Sequence, residues 1–202
     1  IFESNVGGDK IDRVTGREVN YHISPSDGPA TATLTVTRIN KGKQKDPFLN
    51  PGQWIYLRTY VPAGSRLLSA AGFEPPSQSA FKPPLAYYRE DNDLAEIEKN
   101  VQYDMKTGTK ISSEFGKTVY GNWLYIPIGE SRTASLTYYL PNEISKNITD
   151  KGSYQLLVQH QSGAPETSFH FLMDNISELP SWYTPNDAQL TPQSGKPAAF
   201  EV

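Results

Sequence analysis

The chain has 202 residues, 37% of them hydrophobic, with 19 basic and 22 acidic side chains and a net charge of −3. That length suits one sizeable core, and the charge offers no general attraction for a phosphate backbone, which disfavours nucleic acid as a partner. The absence of cysteine excludes disulfides and thiolate chemistry, and no apolar run approaches the ~20 residues of a membrane-spanning helix.

An excess of tyrosine, 12 residues beside 8 Phe and 3 Trp, favours pleated surfaces over helices. The chain opens at Ile1 without the basic start or apolar stretch of a signal peptide and reads as a trimmed segment of a longer protein. Arg17 to Ile23 puts Val19, Tyr21 and Ile23 on one face of a predicted strand, and Pro25 to Pro29 supplies a turn. Thr31 to Thr37 carries the clearest signal. Thr31, Thr33, Thr35 and Thr37 alternate with Ala32, Leu34 and Val36, a period of two that sends the apolar set inward and the threonines to water. The two segments form a predicted hairpin.

Lys41 to Pro47 is polar and broken, with Lys41, Lys43 and Lys45 read as a solvated loop. Gln53 to Val61 is the next predicted strand, with Ile55, Leu57 and Val61 facing a core and Trp54, Tyr56, Arg58 and Tyr60 on the opposite side. A further strand or extended edge follows at Ser65 to Ala71. From Gly72 to Asn100, Pro75-Pro76 and Pro83-Pro84 exclude regular structure over much of the stretch, which reads as an insertion. Within it, Asp91 to Lys99 predicts one short helix or turn. Strands are predicted again at Lys110 to Glu114, Thr118 to Ile128, Arg132 to Leu140, Ser153 to Gln161 and Thr167 to Met173. Ser177 to Pro197 reads as irregular, and Ala198 to Val202 as a last short strand. The pattern predicts a single all-β domain over residues 1–202, an immunoglobulin-like β-sandwich of about eight or nine strands with almost no helix and one long irregular insertion.

Several phrases in order resemble the bacterial domain-of-unknown-function 4012 family: Asn5-Val-Gly-Gly-Asp-Lys10, Leu57-Arg-Thr-Tyr-Val-Pro-Ala-Gly-Ser65, Gly116-Lys-Thr-Val-Tyr-Gly121, Pro127-Ile-Gly-Glu-Ser-Arg132, Thr137-Tyr-Tyr-Leu-Pro141 and Leu157-Val-Gln-His-Gln-Ser-Gly163. The resemblance implies the carboxy-terminal extracytoplasmic part of a membrane-anchored bacterial surface protein, with the anchor outside this chain. It brings no catalytic residues and no cofactor. The insertion is longer than the family pattern.

Candidate chemistry is sparse. Asp91, Asp93, Glu96 and Glu98 supply the oxygens calcium prefers, but Ala95 stands where a ligand and Glu96 where a glycine belong, so they read as a capped, solvated helix. Ser79-Ala80-Phe81-Lys82 has the serine–lysine spacing of some acyl-transfer enzymes, which needs a helical turn that Pro83-Pro84 opposes. His22, His160 and His170 are scattered over three predicted strands and write no metal motif. Gly7-Gly8 lacks the residues of a phosphate loop, and the sequons at Asn147 and Asn175 are short matches of a common pattern.

The remaining candidate is the face of Trp54, Tyr56, Arg58 and Tyr60. Left open, it suits stacking on sugar rings or a peptide. Alternatively, Phe73, Phe81, Tyr87 and Tyr88 of the insertion cover it. The sequence therefore leads to a non-enzymatic extracytoplasmic module, a spacer or interaction platform. Its partner is an envelope polysaccharide or another envelope protein. The other readings are a carbohydrate-binding module and an accessory domain of an envelope enzyme.

Overall fold

A computed structural model describes residues 1–6, 10–45, 52–83, 85–151, 154–156, 167–174, 189–191 and 198–201. Among them are twelve strands: β1 (Phe2–Asn5), β2 (Thr15–Ser24), β3 (Thr31–Asn40), β4 (Gln53–Pro62), β5 (Arg66–Ala71), β6 (Lys99–Tyr103), β7 (Lys110–Glu114), β8 (Lys117–Ile126), β9 (Ser131–Tyr139), β10 (Thr167–Met173), β11 (Gln189–Thr191) and β12 (Ala198–Glu201). Two helices, α1 (Asn92–Ile97) and α2 (Asn142–Lys151), and a 3₁₀ turn at Lys10–Val14 complete the described elements. The strands form a five-stranded sheet in the order β1-β4-β8-β7-β6 and a seven-stranded sheet in the order β11-β12-β10-β2-β3-β9-β5. The fold is an all-β sandwich.

Strict alternation explains why the sheets pack as they do. Val19, Tyr21 and Ile23 of β2, Ala32, Leu34 and Val36 of β3, and Leu136 and Tyr138 of β9 are buried against Leu57 and Val61 of β4 and Tyr120 of β8. Every second residue of these strands therefore faces the other sheet. On the outer face of the seven-stranded sheet the threonines pair across strands, Thr33 with Thr137 at 3.2 Å and Thr37 with Thr133 at 2.9 Å between hydroxyl oxygens. The β2–β3 hairpin forms as expected, with Val19 opposite Val36 and Tyr21 opposite Leu34.

One end of the interior is polar. Glu3 of β1 points inward and lies 3.6 Å from Arg17 Nη1 and 3.4 Å from Arg38 Nη1. Arg38, only 1% exposed, is also 3.6 Å from Asp12 and donates to Thr15 Oγ1 (3.2 Å) and Gln53 Oε1 (3.4 Å). Burial lowers the proton affinity of the Arg38 guanidinium, and Glu3 and Asp12 oppose that fall. Two buried cations are thus balanced by the buried Glu3 and by Asp12, whose side chain is partly exposed at the rim.

Three sequence expectations need correction. The strands number twelve among the described residues, because β1 and β6 are short and weakly patterned, and β11 lies inside the segment read as irregular. The near-absence of helix fails at α2. Directly after Pro141 the chain turns into a helix whose Ser145 and Ile148 are buried. The Ala30 N–H donates to Ser145 Oγ (2.9 Å), and that hydroxyl donates to the Pro141 carbonyl (3.1 Å), so the helix closes the end of the sheet between β2 and β3. The predicted strand at Ser153 to Gln161 lies largely outside the described residues, and 154–156 are not in a strand.

Candidate functional site

The site is the outer face of the five-stranded sheet. Trp54, Tyr56, Arg58 and Tyr60 of β4 alternate with buried Ile55, Leu57, Thr59 and Val61, and all four are half-buried. The register sets Trp54 opposite Tyr125, Tyr56 opposite Trp123 and Arg58 opposite Gly121 on β8. Ring centroids lie 4.7 Å apart for Trp54 and Tyr125, and 4.9 Å apart for Tyr56 and Trp123. Trp54 meets Trp123 edge-on at 6.4 Å, so two cross-strand aromatic pairs join into one continuous row.

Two glycines let tyrosines lie against backbone. A Cβ at Gly121 would collide with the Tyr56 phenol, and one at Gly52 would collide with the Tyr125 hydroxyl. Tyr103 of β6, opposite Lys110, extends the face toward the sheet edge and is 61% exposed. Burial pushes the Tyr56 phenol up to about 12, and Tyr103 adds to that rise.

Beside the rings stands an ionic quartet. Arg58 donates to Glu114 and lies 3.4 Å from Glu98 Oε1, and Lys110 Nζ is 2.6 Å from Glu98 Oε2. Glu114 is buried and also accepts from Ser112 Oγ (2.5 Å) and Tyr60 Oη (3.1 Å). Burial alone would raise the Glu114 carboxyl. The Ser112 and Arg58 hydrogen bonds and the Arg58 charge reverse this and hold it below the usual carboxylate range. The Arg58 guanidinium also sits over the Tyr60 ring at 5.6 Å. Arg58 is therefore committed within the protein, whereas the sequence offers it as a cation for a ligand.

The insertion covers the face only in part. Phe81 packs on Trp123 at 5.4 Å and on Trp54 at 6.5 Å. Phe73 instead packs against the buried clusters between the sheets. Tyr87 and Tyr88 contact each other at 5.1 Å and remain exposed, at 74% and 61%.

Elsewhere, Asp91 caps α1 by accepting from the Asp93 and Leu94 N–H groups, and Glu98 is taken up by Arg58 and Lys110. Among the described residues no three His, Asp or Glu groups are placed to hold a metal. Ser79 and Lys82 lie outside any helix. His22 and His170 stand on adjacent strands, and His160, Gly7-Gly8 and Asn175 lie outside the described residues. Asn147 falls on α2. His22 Nε2 is 2.9 Å from Asp174 Oδ1, and Ser24 donates to Asp174 Oδ2 at 2.6 Å. Serine and histidine both engage the carboxylate, with 3.5 Å between Ser24 Oγ and His22 Nε2, so the group clasps β10 to β2 and lacks the order of a nucleophilic triad.

Trp123, Tyr125, Tyr103 and Glu114 are site residues that the sequence did not single out. The first two alternate with Leu124 and Ile126, and that alternation was the signal that could have found them.

No family model matches the chain, and no curated protein matches it. Among solved structures, it is similar to an M1 zinc metallopeptidase from Deinococcus radiodurans, at 10% identity and a TM-score of 0.30 over 93% of this chain and 38% of that one. It is similar as well to a mutant two-domain M1 zinc metallopeptidase bound to L-tryptophan, at 9% identity and a TM-score of 0.30 over 94% of this chain and 39% of that one. The chain spans well under half the length of these structures, and a likeness of that size carries no inference about function.

Proposed function

We propose that the chain is a non-enzymatic, extracytoplasmic interaction module of a membrane-anchored bacterial envelope protein, docking through the outer face of its five-stranded sheet. One contrast carries this reading. The outer face of β3 and β9 is mostly threonine and serine, with Ile39 and Tyr139 only at the strand ends, the ordinary solution for a sheet with one side in water. The outer face of β4 and β8, in the same sandwich, instead bears Trp54, Tyr56, Trp123 and Tyr125 in direct register. Large half-exposed rings in one contiguous patch are characteristic of recognition surfaces. The resemblance to the domain-of-unknown-function 4012 family supports the envelope placement.

Co-sedimentation with the envelope fraction of a bacterium carrying the protein tests the reading. The chain pellets with the envelope, Trp54→Ala weakens this at least severalfold, and Thr35→Ala on the opposite face leaves it unchanged. Equal binding by the two variants, or none by the parent, overturns the assignment.

A further inference from the structure

We propose that the turn between β7 and β8, at one end of the five-stranded sheet, docks on an anionic lipid bilayer. The Phe115 ring enters the headgroup region, and Lys99 and Lys117 meet the lipid phosphates. This contact uses a strand end and is independent of what docks on the outer aromatic face.

The turn works against the stability of the fold. Glu114 pairs with Lys117 across β7 and β8, so Phe115 and Gly116 alone make the connection. Both have a left-handed backbone, with φ of 47° and 69°. That is the hairpin turn whose first position favours Asn, Asp or Gly, and a bulky side chain is strained there because its Cβ crowds the backbone. Packing does not offset the strain. Phe115 is 76% exposed and belongs to neither buried cluster. The ring is nonetheless held in position. Glu114, the residue before it, is buried and bound by Arg58, Ser112 and Tyr60. The Gly64 N–H donates to Thr118 Oγ1 (3.1 Å), which sets the neighbouring β4–β5 turn alongside.

The surroundings of the ring select the partner. Ala63, Gly64 and Gly116 are exposed and carry almost no side chain. The tip therefore has little shaped surface to offer toward the roughly 800 Å² per partner of an ordinary protein interface. A bilayer demands no such complementarity, because apolar area entering the headgroup boundary and cations above anionic lipid add their effects. The cations are in place. Lys117 follows the turn and Lys99 lies opposite Ser113 on β6, both of them exposed. The acids nearest to them in sequence, Glu98 and Glu114, are bound to Arg58 and Lys110. The tip is thus locally positive on a chain whose net charge is −3.

Sedimentation with sucrose-loaded vesicles of phosphatidylglycerol and phosphatidylcholine, against vesicles of phosphatidylcholine alone, tests the proposal. The protein partitions onto the anionic vesicles at millimolar lipid, and severalfold less onto the neutral ones or at high salt. Lys117→Glu lowers the partition by about fivefold or more. Phe115→Asn also lowers it by about fivefold or more. Because Asn suits the left-handed position, the same variant melts a few degrees higher, which separates a docking role from a structural one. No partition onto anionic vesicles, or an unchanged partition in Phe115→Asn, overturns the proposal. So does a lower melting temperature in Phe115→Asn, since the ring would then be supporting the fold.

Discussion

The phenol of Tyr56 lies across the bare backbone of Gly121, close enough that a single methyl group at position 121 would displace it. This contact fixes the ring against the sheet and sets its angle to Trp123. Gly121→Ala is expected to cost about 1–3 kcal/mol, the range for overpacking a tight site. Thermal unfolding should show the loss, and the near-ultraviolet circular dichroism should change as Tyr56 moves off Trp123. An unaltered aromatic spectrum would mean the contact does not position the ring.

Glu114 gives the fold a defined acid sensitivity. Its carboxyl is held below the ordinary value of 4.5, so the unfolded chain takes up its proton first as the pH falls. The stability it contributes is complete above about pH 4.5 and is lost as the pH drops through the lower, folded-state value. The stability difference between the parent and Glu114→Gln should therefore be largest near neutrality, on the order of 1–3 kcal/mol, and shrink in acid. Asp174, lowered by Ser24 and His22, acts in the same direction from a more exposed position, which makes Asp174→Asn the comparison for a smaller effect. A difference independent of pH would contradict the assignment.

The ionic group between the sheets predicts an asymmetry. Glu3→Gln leaves Arg17 and Arg38 buried with one carboxylate fewer, and removal of one member of such a pair costs about 3–5 kcal/mol. Arg38→Met removes a buried charge and leaves Glu3 to Arg17, so its cost should be smaller. Denaturant midpoints of the two variants decide this, and a reversed order would show that Arg38 anchors the group.

Ser145 ties α2 to the sheet through the Ala30 N–H. Ser145→Ala leaves that buried donor unsatisfied and should cost about 1–3 kcal/mol in equilibrium unfolding. Ile148→Ala, which opens space at the buried face of the helix, should cost about 2–5 kcal/mol. Changes below a few tenths in both would show that the helix is dispensable to the sandwich.

Legibility in the sequence followed periodicity. β2, β3, β4 and β9 were readable because buried Val, Leu, Ile, Ala or Tyr alternates with a more accessible polar or aromatic residue along most of each strand. Asp91 was readable as a helix cap from its own chemistry. β1 escaped because four residues hold too few repeats and its inward residue is the charged Glu3. β6 escaped because all five of its residues are exposed and Asn100 adopts a left-handed conformation where the pairing shifts. α2 was hidden behind Pro141, with Ile144 and Ile148 as its main apolar signal. Half of the site was visible in β4. The other half depends on which strand lies opposite, and pairing of β4 with β8 across the whole insertion has no local signature.

Indole N–H resonances offer the most direct measurement of whether the outer face of the five-stranded sheet is the docking surface. On titration of the isotope-labelled chain with solubilised envelope polymer, the Trp54 and Trp123 signals should shift together and saturably, while the amides of Thr33, Thr35 and Thr37 stay in place. Shifts confined to the threonine face, with both indoles unmoved, would contradict the account.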